Sequence, residues 1–326
     1  MGAQDVINTA KEEQKIPRQE LILTPKATIY SNSSAAYKVI ERLGRGGNSD
    51  VYLCQSNRGD QKGLLFAAKL MTNIDRADRV KRFEKEFDFL SGINHPAIMK
   101  VIERGEFSFG SGSNRIEVPF YLAEYIPLTL RDAMRSGLLM VDKVSIAVQL
   151  LSLLNSLSQL TPPVVHRDIK PENIFIRGRS AVLGDFGLLK ALEPEDLEQR
   201  FAIGDLSRGV RHPFSYPTPD LIDYAKGKTA ALTPKSDVFQ LGLVFSEMFC
   251  GHIPIGPRVN ALDPIVVEKL ESFSASNAQT ILSLIRQMLE LDPNQRGSAD
   301  VFLDQWMGVF SEVVTDAQRL EGKAFW

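Results

Sequence analysis

The stretch Val165-His166-Arg167-Asp168-Ile169-Lys170-Pro171-Glu172-Asn173 sets a carboxylate, an ammonium and a side-chain amide close together, and Gly184-Asp185-Phe186-Gly187 follows with a second carboxylate. A carboxylate at Asp168 can orient a hydroxyl and take its proton, and the cation of Lys170 can offset negative charge building up beside it. Asn173 and Asp185 both offer oxygen, the donor that a hard cation such as magnesium selects. A base, a cation and two metal ligands are the parts that phosphoryl transfer needs.

Two features earlier in the chain suit the same chemistry. Leu43-Gly44-Arg45-Gly46-Gly47-Asn48-Ser49-Asp50-Val51 lies between two strand-like patterns, where glycine lets a hairpin backbone approach phosphate oxygens. Taken alone, a plain glycine turn is the better reading. Phe66-Ala67-Ala68-Lys69 ends an apolar strand with an ammonium facing inward, and a buried ammonium needs a partner. Glu86 follows Phe83 by three positions at helical spacing, so it borders the inward face while Glu84 points away. A surface lysine and a solvated glutamate are the bland alternative for that pair.

Taken in order, the glycine loop, the strand lysine, His166-Arg167-Asp168-Ile169-Lys170-Pro171-Glu172-Asn173 and Asp185-Phe186-Gly187 resemble the eukaryotic-type (Hanks-type) serine/threonine protein kinase family. The resemblance covers about residues 37–310. It implies an α+β fold of two lobes, a small antiparallel sheet with one main helix and a larger, mostly helical lobe. It also implies transfer of the γ-phosphate of ATP to serine or threonine hydroxyls of a protein substrate. Asp168 would be the base, Lys170 would accompany the phosphate, and Lys69 would contact the nucleotide phosphates while held by Glu86. Asn173 and Asp185 would hold magnesium, with manganese as its substitute. The nucleotide would meet Leu43, Gly44, Arg45, Gly46, Gly47, Asn48 and Ser49, with Val51 and Ala67 above the adenine, Phe175 below it, and the backbone of Glu124 and Ile126 at a hinge.

Further positions follow from the resemblance. His166 and Phe186 are implied as packing residues stacked with Leu90. Thr218-Pro219-Asp220 stands where the family writes Ala-Pro-Glu, with Asp220 paired to Arg296, and Asp237 accepts hydrogen bonds from the backbone around Asp168. Control is expected through the activation segment, residues 185–220. There Arg167 and Lys190 would receive a phosphate on Ser207, Ser215, Tyr216 or Thr218, including one placed by a second copy of the chain. Two positions depart from the family pattern: Ser49 replaces the third glycine, with Gly47 added earlier, and Pro213 replaces the threonine that helps recognise the substrate hydroxyl. A pseudokinase scaffold that binds nucleotide and protein partners is the alternative. The presence of Lys69, Glu86, Asp168, Asn173 and Asp185 together stands against it.

The elements that must position these residues read as follows. Alternation predicts strands over 37–43, 51–55, 64–71, 98–107 and 116–125, and helical spacing of Val80, Phe83, Phe87 and Leu90 predicts a helix over 75–92. Beyond Pro127 the pattern is helical: Val144, Ala147, Val148, Leu151, Leu154 and Leu157 make one stripe, and 238–250 is apolar nearly all round, as in a buried helix. This divides the chain into a polar arm over 1–36 broken by Pro17, Pro25 and a serine cluster, a small lobe over 37–126, a large lobe over 127–310 and a tail over 311–326. Leu21-Ile22-Leu23 is the one part of the arm with a strand alternative.

Composition sets outer bounds. With 326 residues, 44% of them hydrophobic, the chain can bury a substantial core, and a formal charge of −2 gives no basic field to recruit nucleic acid or an anionic membrane. Cys54 and Cys250 lack metal-ligand spacing, so a reducing compartment is the simpler expectation. No secretory signal pattern or apolar run of about 18 residues is read, which makes a cytoplasmic location the expectation.

Overall fold

The computed structural model describes residues 21–46, 49–74, 77–110, 112, 115–186, 216, 218–225, 227–228, 232–254 and 278–321. The chain forms two compact units, one of Met1–Glu84 with Val101–Tyr125 and one of Lys85–Lys100 with Ile126–Trp326.

The first unit is an antiparallel sheet of six strands, β1 (Thr28–Tyr30), β2 (Ala36–Arg45), β3 (Ser49–Ser56), β4 (Leu65–Met71), β5 (Val101–Phe109) and β6 (Ile116–Glu124), in the order β1-β2-β3-β4-β6-β5. Every second residue enters the core: Tyr37 and Val39, Tyr52 and Cys54, Phe66, Ala68 and Leu70, and Val118, Phe120 and Leu122. This is the period of two that a pleated strand imposes. The two ends of the sheet meet, because Ser31 bridges to Gly105 and Asn32 N donates to Arg104 O at 2.8 Å.

That closure corrects the expected polar arm from Leu21 onward. Leu21, Leu23 and Ile29 are buried in the sheet's core, and Leu23 N donates to the Tyr52 hydroxyl. Pro25 and the serines of 31–34 punctuate turns, with Lys26 and Ser34 at φ 74° and 64°. The alternative read for Leu21-Ile22-Leu23 holds for its packing, since Leu21 and Leu23 enter the core, but these residues form no strand and β1 starts at Thr28.

Helix α1 (Ala77–Gly92) crosses the division between units, with Phe83 on the first side, 5.1 Å from Tyr121 between ring centroids. The second unit holds α2 (Leu130–Ser136), α3 (Met140–Ser158), the ribbon β7 (Ile174–Arg177) and β8 (Ser180–Leu183), α4 (Pro219–Ala225), α5 (Pro234–Cys250), α6 (Ala278–Met288) and α7 (Ala299–Glu321). Helix α5 is buried along nearly its whole length, starts with a proline in its first turn and ends at Gly251 in the left-handed region. Trp306 of α7 packs on its Phe245 and Phe249 at 5.1 and 5.3 Å.

Helix α3 is long and apolar enough to cross a membrane by length and composition alone. It packs on α5, α7 and β8, with Val144, Ala147, Leu151 and Leu154 buried, as a core helix does. The expected tail over 311–326 is also corrected: α7 runs unbroken to Glu321, and Val313 is buried.

Candidate functional site

The turn at Gly178 folds β7 back on β8, and Ile174 opposite Leu183 brings the residues flanking the ribbon to one end. Gly184 N donates to Asn173 O at 2.9 Å, so Asn173 and Asp185 become neighbours through backbone pairing alone. Gly184 is closely surrounded: a Cβ there would lie 3.0 Å from the Phe175 ring and 3.2 Å from Met99, which would have to give way by a few tenths of an ångström. Asp185 itself is exposed and holds φ at 53°, a backbone state that asparagine and aspartate tolerate best among residues with a side chain.

Asp168 is buried at 6% exposure. Its Oδ2 accepts from Asn173 Nδ2 at 3.0 Å and lies 3.5 Å from Lys170 Nζ, and the same Nδ2 donates to Asp168 O at 2.8 Å. Three residues singled out in the sequence therefore form one hydrogen-bonded group. The preceding Arg167 has φ at 69°, a strained turn that needs outside support. Helix α5 supplies it. Asp237 Oδ2 and Oδ1 accept from His166 N and Arg167 N at 2.6 and 2.8 Å, as expected, and Gln240 Oε1 accepts from Ile169 N at 2.9 Å. Burial pushes the Asp237 carboxyl up to about 7, while the two amide donors and Arg167 pull it down.

His166 is a packing residue. Its ring meets Phe186 edge-on at 4.6 Å, and its Nε2 lies 3.2 Å from Gly184 O. The α1 ring that meets Phe186 is Phe89, at 6.0 Å, next to the buried Leu90.

A second polar group adjoins this loop. A capping box of Thr129 and Asp132 starts α2 and sets Arg131 in its first turn. Arg131 Nε pairs with Glu172 at 2.7 Å, Nη2 donates to the Tyr216 hydroxyl at 2.9 Å, and Nη1 pairs with Glu247. The Tyr216 hydroxyl in turn donates to Glu247. Burial, with Glu247 adding to it, pushes the Tyr216 phenol above its ordinary range. Two of the candidate phosphate acceptors are thereby committed inside the fold: Tyr216 as described, and Thr218, whose buried hydroxyl contacts Ser236 and accepts from Leu221 N. Asp220 pairs in two-pronged fashion with Arg296, at 2.8 and 3.0 Å, as expected.

In the first unit, Gly46 N donates to Ser49 O at 2.8 Å, and a Cβ on Gly46 would sit 3.0 Å from that same oxygen, a tight approach that a glycine relieves. A Cβ on Gly44 would meet nothing within 4 Å. Val51 opposes Lys69 across β3 and β4, and Ala67 opposes Ala123 of β6, one position before Glu124. The Lys69 ammonium lies 5.6 Å from the Tyr121 ring centroid. Leu43 and Arg45 are exposed on β2. Glu86 is buried at 6% and Glu84 exposed, as helical spacing predicts. Glu86, Ile126 and Phe175 belong to the second unit. Gly47, Asn48, Lys190, Ser207, Pro213 and Ser215 lie outside the described residues.

Sequence reasoning missed Gln240, Arg131, Glu172 and Glu247. The signal for two of them was available: Gln240 and Glu247, with Asp237 and Ser246, are polar residues in a largely apolar, buried helix, and a buried polar group must have a partner.

Residues 37–307 match the family model of the protein kinase domain, and the chain belongs to that family. Among its relatives are the serine/threonine-protein kinase PknB of Mycobacterium tuberculosis, 30% identical over 70% of this chain and 34% of that protein, and PrkC of Bacillus subtilis, 28% identical over 90% of this chain and 42% of that protein. The serine/threonine-protein kinase pkn2 of Myxococcus xanthus is 26% identical over 80% of this chain and 30% of that protein. The chain thus spans about a third of the length of the curated relatives it matches. The α+β architecture and the family resemblance are both as the motifs led one to expect.

Proposed function

We propose that this chain is an ATP-dependent protein kinase acting on serine or threonine hydroxyls, with Asp168 as its base. The observation that carries this reading is the position of the Asp168 carboxylate, fixed by Asn173 Nδ2, beside Lys170 Nζ, in a loop anchored to α5. The substrate hydroxyl oxygen forms a bond to the γ-phosphorus as the bond to the β–γ bridging oxygen breaks. Its proton passes to Asp168, and ADP leaves with the electron pair. Lys170 offsets charge on the phosphate in transit.

The donor set fits magnesium. Asn173 spends its amide nitrogen on Asp168, so Oδ1 is the atom it can offer a cation, and Asp185 offers a carboxylate. Among the described residues no group of three or more His, Cys, Asp or Glu forms a closed cage. A pair of oxygen donors matches an ion that completes its shell with phosphate and water. Bound there, magnesium would neutralise phosphate charge. The remaining nucleotide-site residues are proposed as Leu43 to Ser49, Val51, Ala67, Lys69 and Glu124 of the first unit and Glu86, Ile126 and Phe175 of the second. Arg167 is the proposed receiver for a phosphate on the activation segment.

Incubation with radiolabelled ATP, magnesium and a serine-rich protein acceptor tests this. The expected result is acceptor and self-labelling by the wild type and a loss of about a thousandfold or more in Asp168→Asn, the scale set by removing a general base. A pseudokinase scaffold predicts a wild type as silent as that variant.

A further inference from the structure

Helix α5 meets the loop carrying Asp168 through two side chains one turn apart, and they differ in kind. Asp237 only accepts. Gln240 both accepts and donates: Oε1 takes the Ile169 N–H, while Nε2 donates to the Tyr216 carbonyl at 2.9 Å and to the Arg167 carbonyl at 3.4 Å. These partners fix which end of the amide is which, since an N–H must face the oxygen and carbonyls must face the nitrogen. The side chain is 1% exposed, so no bulk water substitutes for any of the three.

The partners occupy telling places. Ile169 lies between Asp168 and Lys170, and Arg167 precedes them at positive φ. Tyr216 belongs to the segment C-terminal to Asp185, and its hydroxyl sits in the Arg131–Glu247 group that also holds Glu172. One buried amide therefore ties the Asp168–Lys170 backbone to the segment carrying Tyr216.

We propose that Gln240 is a positioning residue for the phosphotransfer reaction, resting on the reading of the site given above. It sets the Asp168–Lys170 backbone by reference to the Tyr216 segment. A displacement of Tyr216 is passed to Asp168 through Gln240. The requirement for an amide is chemical. Leucine has a similar volume but orphans the Ile169 N–H and the Tyr216 carbonyl. Glutamate keeps the acceptor; when ionised it faces two carbonyls with negative charge, and when protonated it regains a donor.

The Gln240→Glu variant thus makes the coupling depend on pH. The charged and titratable groups around it are Asp237 and Glu247 on α5, His166, Arg167, Asp168 and Lys170 on the loop, Tyr216 with Arg131 and Glu172, and the Asp220–Arg296 pair beside Phe239. Burial close to Asp237 favours the neutral form of the introduced acid.

The test uses the full chain as wild type, Asp168→Asn, Gln240→Leu and Gln240→Glu, with steady-state kinetics from pH 6 to pH 8 and exchange of the Ile169 amide followed in parallel. Gln240→Leu is expected to lower kcat by about thirtyfold, with the KM for ATP within about twofold, the pattern of a misplaced loop that still binds substrate. The activity of Gln240→Glu relative to wild type is expected to rise about fivefold or more from pH 8 to pH 6. The Ile169 amide should exchange faster in Gln240→Leu whether or not turnover is measurable. A lower Tm with unchanged kcat per folded molecule, a flat pH ratio and an unchanged Ile169 exchange rate would overturn the proposal. If the wild type is as inactive as Asp168→Asn, the phosphotransfer reading fails, and the Ile169 exchange rate alone decides the positioning role.

Discussion

Arg296 spends its entire guanidinium inside the protein. It pairs with both Asp220 oxygens, donates to the carbonyls of Lys235, Leu291 and Glu290, and stacks on Phe239 at 4.7 Å. A planar fork can satisfy all of these; an ammonium cannot. Arg296→Lys should cost about 3 kcal/mol or more, because it leaves a buried carboxylate and buried carbonyls short of donors, and a thermal melt of the full chain checks it. Asp237 supports a prediction of the opposite kind. Its carboxyl rises from 3.8 to about 7 on folding, so the folded state binds the extra proton between those values. Its contribution to stability is therefore fully present below the lower value and is lost as pH rises towards 7. One such group gives a slope of at most about 1.4 kcal/mol per pH unit. Urea unfolding between pH 4.5 and pH 7 should show that slope in the wild type and a flatter dependence in Asp237→Ala. At this scale the sequence was most legible where partners lie close along the chain, as with Asp168, Lys170 and Asn173. It was least legible for Gln240 and Arg131, whose partners are distant in sequence and reached only through the packing of α5 and α2.

Strand β1 adds an element to the sheet that its composition conceals. Leu21 and Leu23, which precede β1, turn inward and Ile22 outward without forming a strand, and Pro25 and the serines of 31–34 flank the three residues of β1, so local signals read as loop. What holds this region is tertiary: Leu23 packs in the sheet core and its N–H donates to Tyr52, β1 pairs with β2, and the chain approaches β5 closely at Gly105. A Cβ on Gly105 would lie 2.5 Å from Tyr30 O and 2.7 Å from the Phe120 ring. Neither the β1 backbone nor a buried ring end can yield cheaply to such a contact. Gly105→Ala should therefore loosen β1, at a cost of about 1–3 kcal/mol, seen as faster amide exchange at Ser31 and Asn32. The companion test exploits alternation: Leu23→Ala should cost about 2–4 kcal/mol and Ile22→Ala under about 1 kcal/mol. Equal costs would deny that Leu23 is buried in the core while Ile22 faces solvent. The main strands and helices were legible by contrast, since each repeats its period over enough residues to outweigh local breakers.

At the scale of the whole molecule, the family match and the folded units start at different residues. The match begins at residue 37, yet the core cluster of the first unit includes Leu21, Leu23 and Ile29. Their positions lie before the region that carries every motif, and nothing about phosphoryl transfer requires them. The fold does: each fully buried aliphatic side chain is worth about 1.5–3 kcal/mol, or about 4.5–9 kcal/mol for the three. That approaches the whole stability of a typical domain. A chain shortened to begin at Tyr37 should thus lose the first unit's sheet while keeping the helical core of the second. The two tryptophans make this separable. Trp306 packs on Phe245 and Phe249 in the second unit, and the other is Trp326, so the first unit has none. Tryptophan fluorescence should unfold at nearly the wild-type denaturant concentration in the shortened chain, while amides of Val118 and Phe120 in β6 exchange at rates close to those of an unfolded chain. Protected β6 amides would show instead that the sheet stands without β1.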